Sequence, residues 1–140
     1  MTRINLVPPS ELANQHLFAE WREIKMIPKA LARSLRTQST DKVLKKIPRN
    51  FTLNTGHVCF FYDKGAYLRH RYVELTAELE KRGYKFNKEA EFDPEGTMNA
   101  DPWNGNYEPT GEAYAIIRQR IAEKLAMKPE FYKFFYEKET

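Results

Sequence analysis

Apolar positions recur with the period of a helix in three stretches of the chain. The first follows Pro8-Pro9, with Ser10 placed as its N-cap, and sets Leu17, Trp21, Ile24, Leu31 and Leu35 near one face. Pro28 lies inside this stretch and predicts a kink or a division, because proline has no N–H to give the helix and its ring crowds the preceding turn. The second runs from about 63 to 82 on Leu68, Tyr72, Leu75 and Leu79, and Gly83 is placed to end it in a left-handed turn. The third follows Pro109-Thr110 and carries Ala113, Ile117, Ile121 and Leu125 on one side, with Pro129 predicted to stop it.

Residues 37–56 and 87–110 lack that period and read as irregular chain. The run Val58-Cys59-Phe60-Phe61-Tyr62 has the composition of a buried strand. No second run is available to pair with it, so it is read as core-filling chain leading into the second helix. The aromatic run at 131–136 is too apolar to be wholly exposed, so part of it must pack on the helices. The expected fold is all-α: a single compact domain, residues 1–140, of three main helices and long irregular loops.

Composition narrows the class. A chain of 140 residues, 41% hydrophobic, supports one domain with one core. Cys59 is the sole cysteine, which excludes an internal disulfide and a cysteine-based zinc cluster and fits a reducing compartment. No apolar run approaches the roughly 20 residues of a membrane span, and the first nine residues lack the build of a signal peptide. A cytoplasmic protein, not secreted and without a membrane partner, is expected. Net charge is only +4, but its distribution is uneven. Glu89, Glu91, Asp93, Glu95, Asp101, Glu108 and Glu112 fall in a segment without Lys or Arg, and the rest of the chain sets 23 basic residues against 12 acidic, a net of +11. Such asymmetry suits either a polyanion-binding surface with an acidic loop turned elsewhere or an unevenly charged solvated surface.

The first helix carries the strongest chemical signal. Arg22, Lys25, Lys29, Arg33 and Arg36 are spaced to form one stripe if the helix survives Pro28. Like charges at this spacing repel, and a phosphate backbone would relieve the repulsion by displacing counterions. The plainer reading is a solvated basic face. Arg120 and Lys124, extended by Lys128, form a second basic edge on the third helix. His16, Glu20 and Glu23 share a face as three potential metal ligands, yet helical metal sites usually draw on several helices, and His57 and His70 supply no matching partner. No metal is expected. Glu23 beside Arg22 is better read as a carboxylate among cations, either a counter-charge or a group acting on a developing cation or a proton. Loss of Met1 is expected because Thr2 is small, and would leave a free α-amine beside Arg3. Such an amine has a pKa of roughly 7.7–8.0 and is nucleophilic when neutral.

Together, several blocks resemble the pyrimidine-dimer DNA glycosylases, the phage endonuclease V-like family. They are Thr2-Arg3-Ile4-Asn5-Leu6, Gln15-His16-Leu17, Arg22-Glu23, Gly56-His57-Val58, Phe60-Phe61-Tyr62-Asp63-Lys64, Lys81-Arg82-Gly83, Arg120 with Glu123-Lys124, and Pro129 with Tyr132-Lys133. The resemblance implies an N-terminal arm threaded between three main helices, and a glycosylase coupled to an abasic-site lyase that needs no cofactor. It implies Thr2 as nucleophile and Glu23 as essential carboxylate. Arg3, Gln15, His16, Arg22, Arg120 and Lys124 are then expected to hold DNA or shape the site, with Lys25, Lys29 and Arg33 tracking the backbone. The implied partner is lesion-containing double-stranded DNA, bound by a monomer. One departure stands out: where the family usually reads Leu-Pro-Arg after Arg22-Glu23, this chain reads Ile24-Lys25-Met26.

Overall fold

The computed structural model describes residues 3–134. A 3-10 turn at Pro9–Glu11 precedes six helices: α1 Asn14–Glu23, α2 Met26–Thr37, α3 Thr40–Lys45, α4 His57–Phe60, α5 Gly65–Lys81 and α6 Gly111–Met127. The described residues form no strand, and the fold is all-α in a single compact domain with three main helical regions. Its core lies where α1 packs on α5, around Leu17, Ile24, Ile27, Leu31, Phe61, Leu68, Leu75 and Leu79, all fully buried.

Ser10 is not an N-cap. It is exposed in the 3-10 turn, and α1 begins after Ala13, whose backbone is extended. The proline pair holds the tight turn, and burying Leu12 and Ala13 draws the chain out straight before it can wind. No side chain caps the first turn, and Arg82 at the end of α5 ties it down instead by donating from Nη1 to Asn14 Oδ1 at 2.7 Å.

The first helical stretch is divided, as Pro28 predicts, but upstream of the proline. The break falls at Ile24 and Lys25, and Pro28 occupies the first turn of α2, where a missing N–H costs nothing because first-turn donors lack intrahelical acceptors. Ile24 (φ −58°, ψ −30°) and Lys25 (φ −69°, ψ −15°) remain right-handed, so the division is a bend rather than a loop.

The other boundaries follow their residues. Gly83, at φ +81°, ends α5: its N–H donates to Glu80 O at 3.0 Å and the Tyr84 N–H to Leu79 O at 3.1 Å, the paired bonds of a left-handed helix stop. The Thr110 hydroxyl accepts from the Ala113 N–H at 3.0 Å to open α6, which stops at Met127 before Pro129. The segment 37–56, expected to be irregular, and the run read as core-filling chain each hold a short helix. Ser39 caps α3 within 37–56, its hydroxyl accepting from Lys42 N. His57 opens α4 instead of lying in a loop, while Phe60, Phe61 and Tyr62 fill the core as anticipated. Residues 87–110 are irregular but closely packed, with Phe92, Met98 and Trp103 buried. Gly65 is required there, since a Cβ would lie 2.7 Å from both the Met98 and Trp103 carbonyl oxygens.

Ahead of the helices, Ile4, Asn5, Leu6 and Val7 are all buried, which makes the N-terminal arm part of the core. Leu6 adopts φ +62°, a left-handed conformation costing an L-residue roughly 1–2 kcal/mol. With that turn, the Leu6 side chain is buried and the Leu6 and Val7 carbonyls both accept from Arg71 Nη1, at 3.2 and 2.6 Å.

Candidate active site

Two carboxylates three residues apart on α1 have opposite surroundings. Glu20 is wholly enclosed. Its Oε2 accepts from Arg71 Nε at 2.7 Å, and its Oε1 from Arg71 Nη2 at 3.0 Å, Asn5 Nδ2 at 2.9 Å and Asn5 N at 3.2 Å. Such saturation is what makes a buried charge tolerable. Burial alone would pull Arg71 down, but Glu20 outweighs it and holds the guanidinium above its ordinary pKa. The Glu20–Arg71 pair thus clamps the arm between α1 and α5. A second pin is His57, whose Nδ1 donates to Thr52 O at 2.8 Å, leaving Nε2 to accept the Ile4 N–H at 2.9 Å. Burial pushes His57 below its usual pKa, consistent with this neutral tautomer.

Glu23 is half-exposed and, among the described residues, makes no ion pair and accepts no side-chain hydrogen bond. It opens onto a pocket of about 160 Å³ lined by Arg3, Asn5, His16, Ala19, Glu20 and Glu23. Four of these share one face of α1, and the arm contributes the other two. Burial and then Arg120 lower the Arg3 pKa, opposed by Glu23, Glu20 and Tyr132. His16 is pushed down to about 4 by burial, Arg3 and Lys124, so its imidazole is neutral near pH 7. Its ring lies 4.6 Å from that of Tyr132. Arg3 and Glu23 thus line the pocket with opposite charges, and Arg120 and Lys124 are near enough to act on Arg3 and His16. Three buried polar atoms of its lining, Arg3 Nε, Asn5 Oδ1 and His16 Nδ1, have no hydrogen-bond partner.

The remaining sequence candidates are placed as follows. Thr2 lies outside the described residues. Gln15 does not line the pocket; its amide ties down the tail: Nε2 donates to Phe131 O at 2.6 Å, and Oε1 accepts from Lys133 N at 3.1 Å. Arg22 is exposed at the end of α1, and Lys29, Arg33 and Arg36 are exposed along α2. Lys25 leaves the stripe. Its Nζ folds back over the Trp21 ring, 3.4 Å from the centroid, and donates to Trp21 O at 2.8 Å. Burial, with Lys29 and Arg22 nearby, lowers its pKa to about 8. Among the described residues no cluster of three potential ligands could hold a metal ion. Glu20 is committed to Arg71, which removes it from the His16, Glu20, Glu23 trio.

A model of the pyrimidine dimer DNA glycosylase family matches residues 1–92. The chain belongs to this family. The matched span contains the arm, α1 to α5, the Glu20–Arg71 clamp and Glu23. Arg120 and Lys124 of α6 lie beyond it, yet they act electrostatically on Arg3 and His16. Membership makes the chain a DNA glycosylase of DNA repair, with damaged DNA as its partner. No helix among the described residues is long and apolar enough to cross a membrane.

Sequence reasoning missed the structural roles of Asn5, His57 and Arg71. A signal existed for Arg71: it stands on the buried stripe of α5 between Leu68 and Leu75, where a charge requires a buried partner.

Proposed function

We propose that this glycosylase cuts the glycosidic bond of one pyrimidine of a cyclobutane dimer in duplex DNA and cleaves the resulting abasic site, with the α-amine of Thr2 as nucleophile. The observation that carries the reading is the carboxylate of Glu23, unpaired among the described residues, in a polar pocket shared with Arg3. Thr2 immediately precedes Arg3, so removal of Met1 would leave the terminal amine one residue from a side chain lining that pocket.

The neutral amine attacks C1′ of the damaged nucleotide. The C1′–N bond breaks, and the base takes the bonding pair and a proton while staying tethered to its partner pyrimidine through the cyclobutane ring. The attached amine gives up its protons, O4′ leaves C1′ with the bonding pair and is protonated to a hydroxyl, and a protein–sugar imine remains. The imine acidifies C2′–H. Removal of that proton shifts its electron pair into a C2′–C3′ double bond and expels the 3′-phosphate, which cuts the strand. Water hydrolyses the imine and restores the amine. Glu23 stabilises positive charge on the sugar and accepts protons. Arg3, Arg22, Arg120 and Lys124 hold phosphates around the lesion, and His16 contributes a neutral imidazole. Reaching C1′ requires extrusion of a nucleotide from the stack.

Borohydride reduction tests this reading, because it converts the imine to a stable protein–DNA amine. Wild type incubated with dimer-containing duplex is expected to yield a covalent adduct whose DNA-bearing peptide begins at Thr2. Glycosidic-bond cleavage without an adduct would exclude the amine mechanism.

A further inference from the structure

Met26 is the one large apolar side chain left exposed among the described residues of α1 and α2, at 52%. It stands in the first turn of α2, from which Ile27, Pro28 and Leu31 turn into the core. Arg22 precedes it by four residues, and Lys29 and Arg33 follow at three and seven, so all three share its edge. The helical backbone at Ile24 and Lys25 carries this spacing approximately across the bend. All three cations are exposed, whereas Lys25, the cation beside Met26 in sequence, is stacked on Trp21. The edge therefore presents a guanidinium, a thioether, an ammonium and a guanidinium in order. Glu23, which opens into the pocket, lies one turn before the thioether.

A single exposed apolar residue ordinarily needs no explanation. This one interrupts a row of cations that suits a phosphate backbone, within a turn of the pocket carboxylate. A cation at that place would bind phosphate, and methionine cannot. Its unbranched, polarisable side chain binds apolar surface and adapts to irregular shapes. Duplex DNA offers apolar surface at thymine methyl groups and at base faces exposed by unstacking. A thymine cyclobutane dimer supplies both, with its methyl groups and its saturated, non-planar rings. We infer that Met26 is a lesion-reading contact, resting on the dimer pair while Arg22, Lys29 and Arg33 engage the flanking phosphates. The inference rests on the dimer-glycosylase reading of the adjoining pocket.

The test measures binding of wild type, Met26→Ala and Met26→Arg to one duplex sequence, with and without a thymine dimer, across a range of salt. Thermal melts confirm that both variants are folded. Met26→Ala is expected to cut the ratio of damaged to undamaged affinity by about five- to tenfold, the loss of one apolar contact, and to leave the salt slope unchanged. Met26→Arg is expected to tighten binding to both duplexes, steepen the slope by about 0.9 and narrow the ratio. If wild type prefers dimer DNA and Met26→Ala keeps the full preference, or changes the slope, the inference fails and the glycosylase reading stands. A wild type that neither prefers nor cleaves dimer DNA overturns both.

Discussion

At the scale of residues, Glu20 and Glu23 show how environment divides two identical side chains. Glu20 is saturated by Arg71 and Asn5, whereas Glu23 remains open to the pocket. Glu20→Gln is expected to destabilise the fold by about 3–5 kcal/mol, because it leaves Arg71 buried without its counter-charge. Urea denaturation measures this. Glu23→Gln is expected to leave the denaturation midpoint nearly unchanged and to keep or tighten DNA binding, since an anion leaves a cationic surface. It should nevertheless abolish base removal on the same dimer-containing duplex. A Glu23→Gln protein that binds and cleaves normally would exclude the catalytic assignment. The two buried histidines make a pH prediction. Both folded pKa values lie below the ordinary value near 6.5, that of His16 at about 4. The folded state therefore resists protonation, so stability is complete above about 6.5 and is lost as pH falls from there toward 4. Denaturation midpoints at pH 7.5 and 4.5 should differ less for His16→Gln than for wild type. Glu23 was legible in the sequence as a carboxylate among cations. The clamp was not, because Asn5, Glu20 and Arg71 are 15 and 51 residues apart in their pairings, and helical periodicity is local.

At the scale of elements, the sequence located the three helical regions through their apolar stripes, and located the ends of α5 and α6 through Gly83, Thr110 and Pro129. It misplaced the start of α1, because Ser10 satisfies a local capping rule while burial of Leu12 and Ala13 sets the actual path. It also missed α3 and α4, six and four residues long, too short for a periodic pattern to declare itself. The bend before α2 affects how the basic stripe works. Lys29, Arg33 and Arg36 remain exposed on α2, while Lys25 is withdrawn onto Trp21. If Lys29 and Arg33 neutralise two phosphates, replacing both with Ala should flatten the dependence of log affinity on log salt by about 1.8, at 0.9 per phosphate on duplex DNA. Damaged and undamaged duplexes should be affected alike. An unchanged slope would return the stripe to an ordinary solvated face.

At the scale of the molecule, the N-terminal arm is part of the fold, and the proposed mechanism puts the nucleophile at its end. A chain terminus usually frays unless it is tied down, and here the ties begin at Ile4, held by His57, and continue through Asn5, Leu6 and Val7 to Glu20 and Arg71. These ties run through the side chains of His57, Glu20 and Arg71 and groups of residues 4–7. Removal of Met1 requires a small residue after it, and Thr2→Leu should prevent that removal. The primary amine would then belong to Met1, displaced along the chain by one residue, about 3.8 Å between consecutive Cα atoms. Nucleophilic attack needs reacting atoms about 3–3.5 Å apart and aligned, and a misplacement of about 1 Å can cost a hundredfold. Thr2→Leu is therefore expected to retain the wild-type melting temperature and salt-dependent DNA affinity while losing at least about a hundredfold in the rate of borohydride-trapped adduct formation. Mass spectrometry first establishes that Met1 is present. A Met1-retaining protein that traps at the wild-type rate would show that the position of the terminal amine does not govern the reaction, and would assign the nucleophile to another group of the pocket.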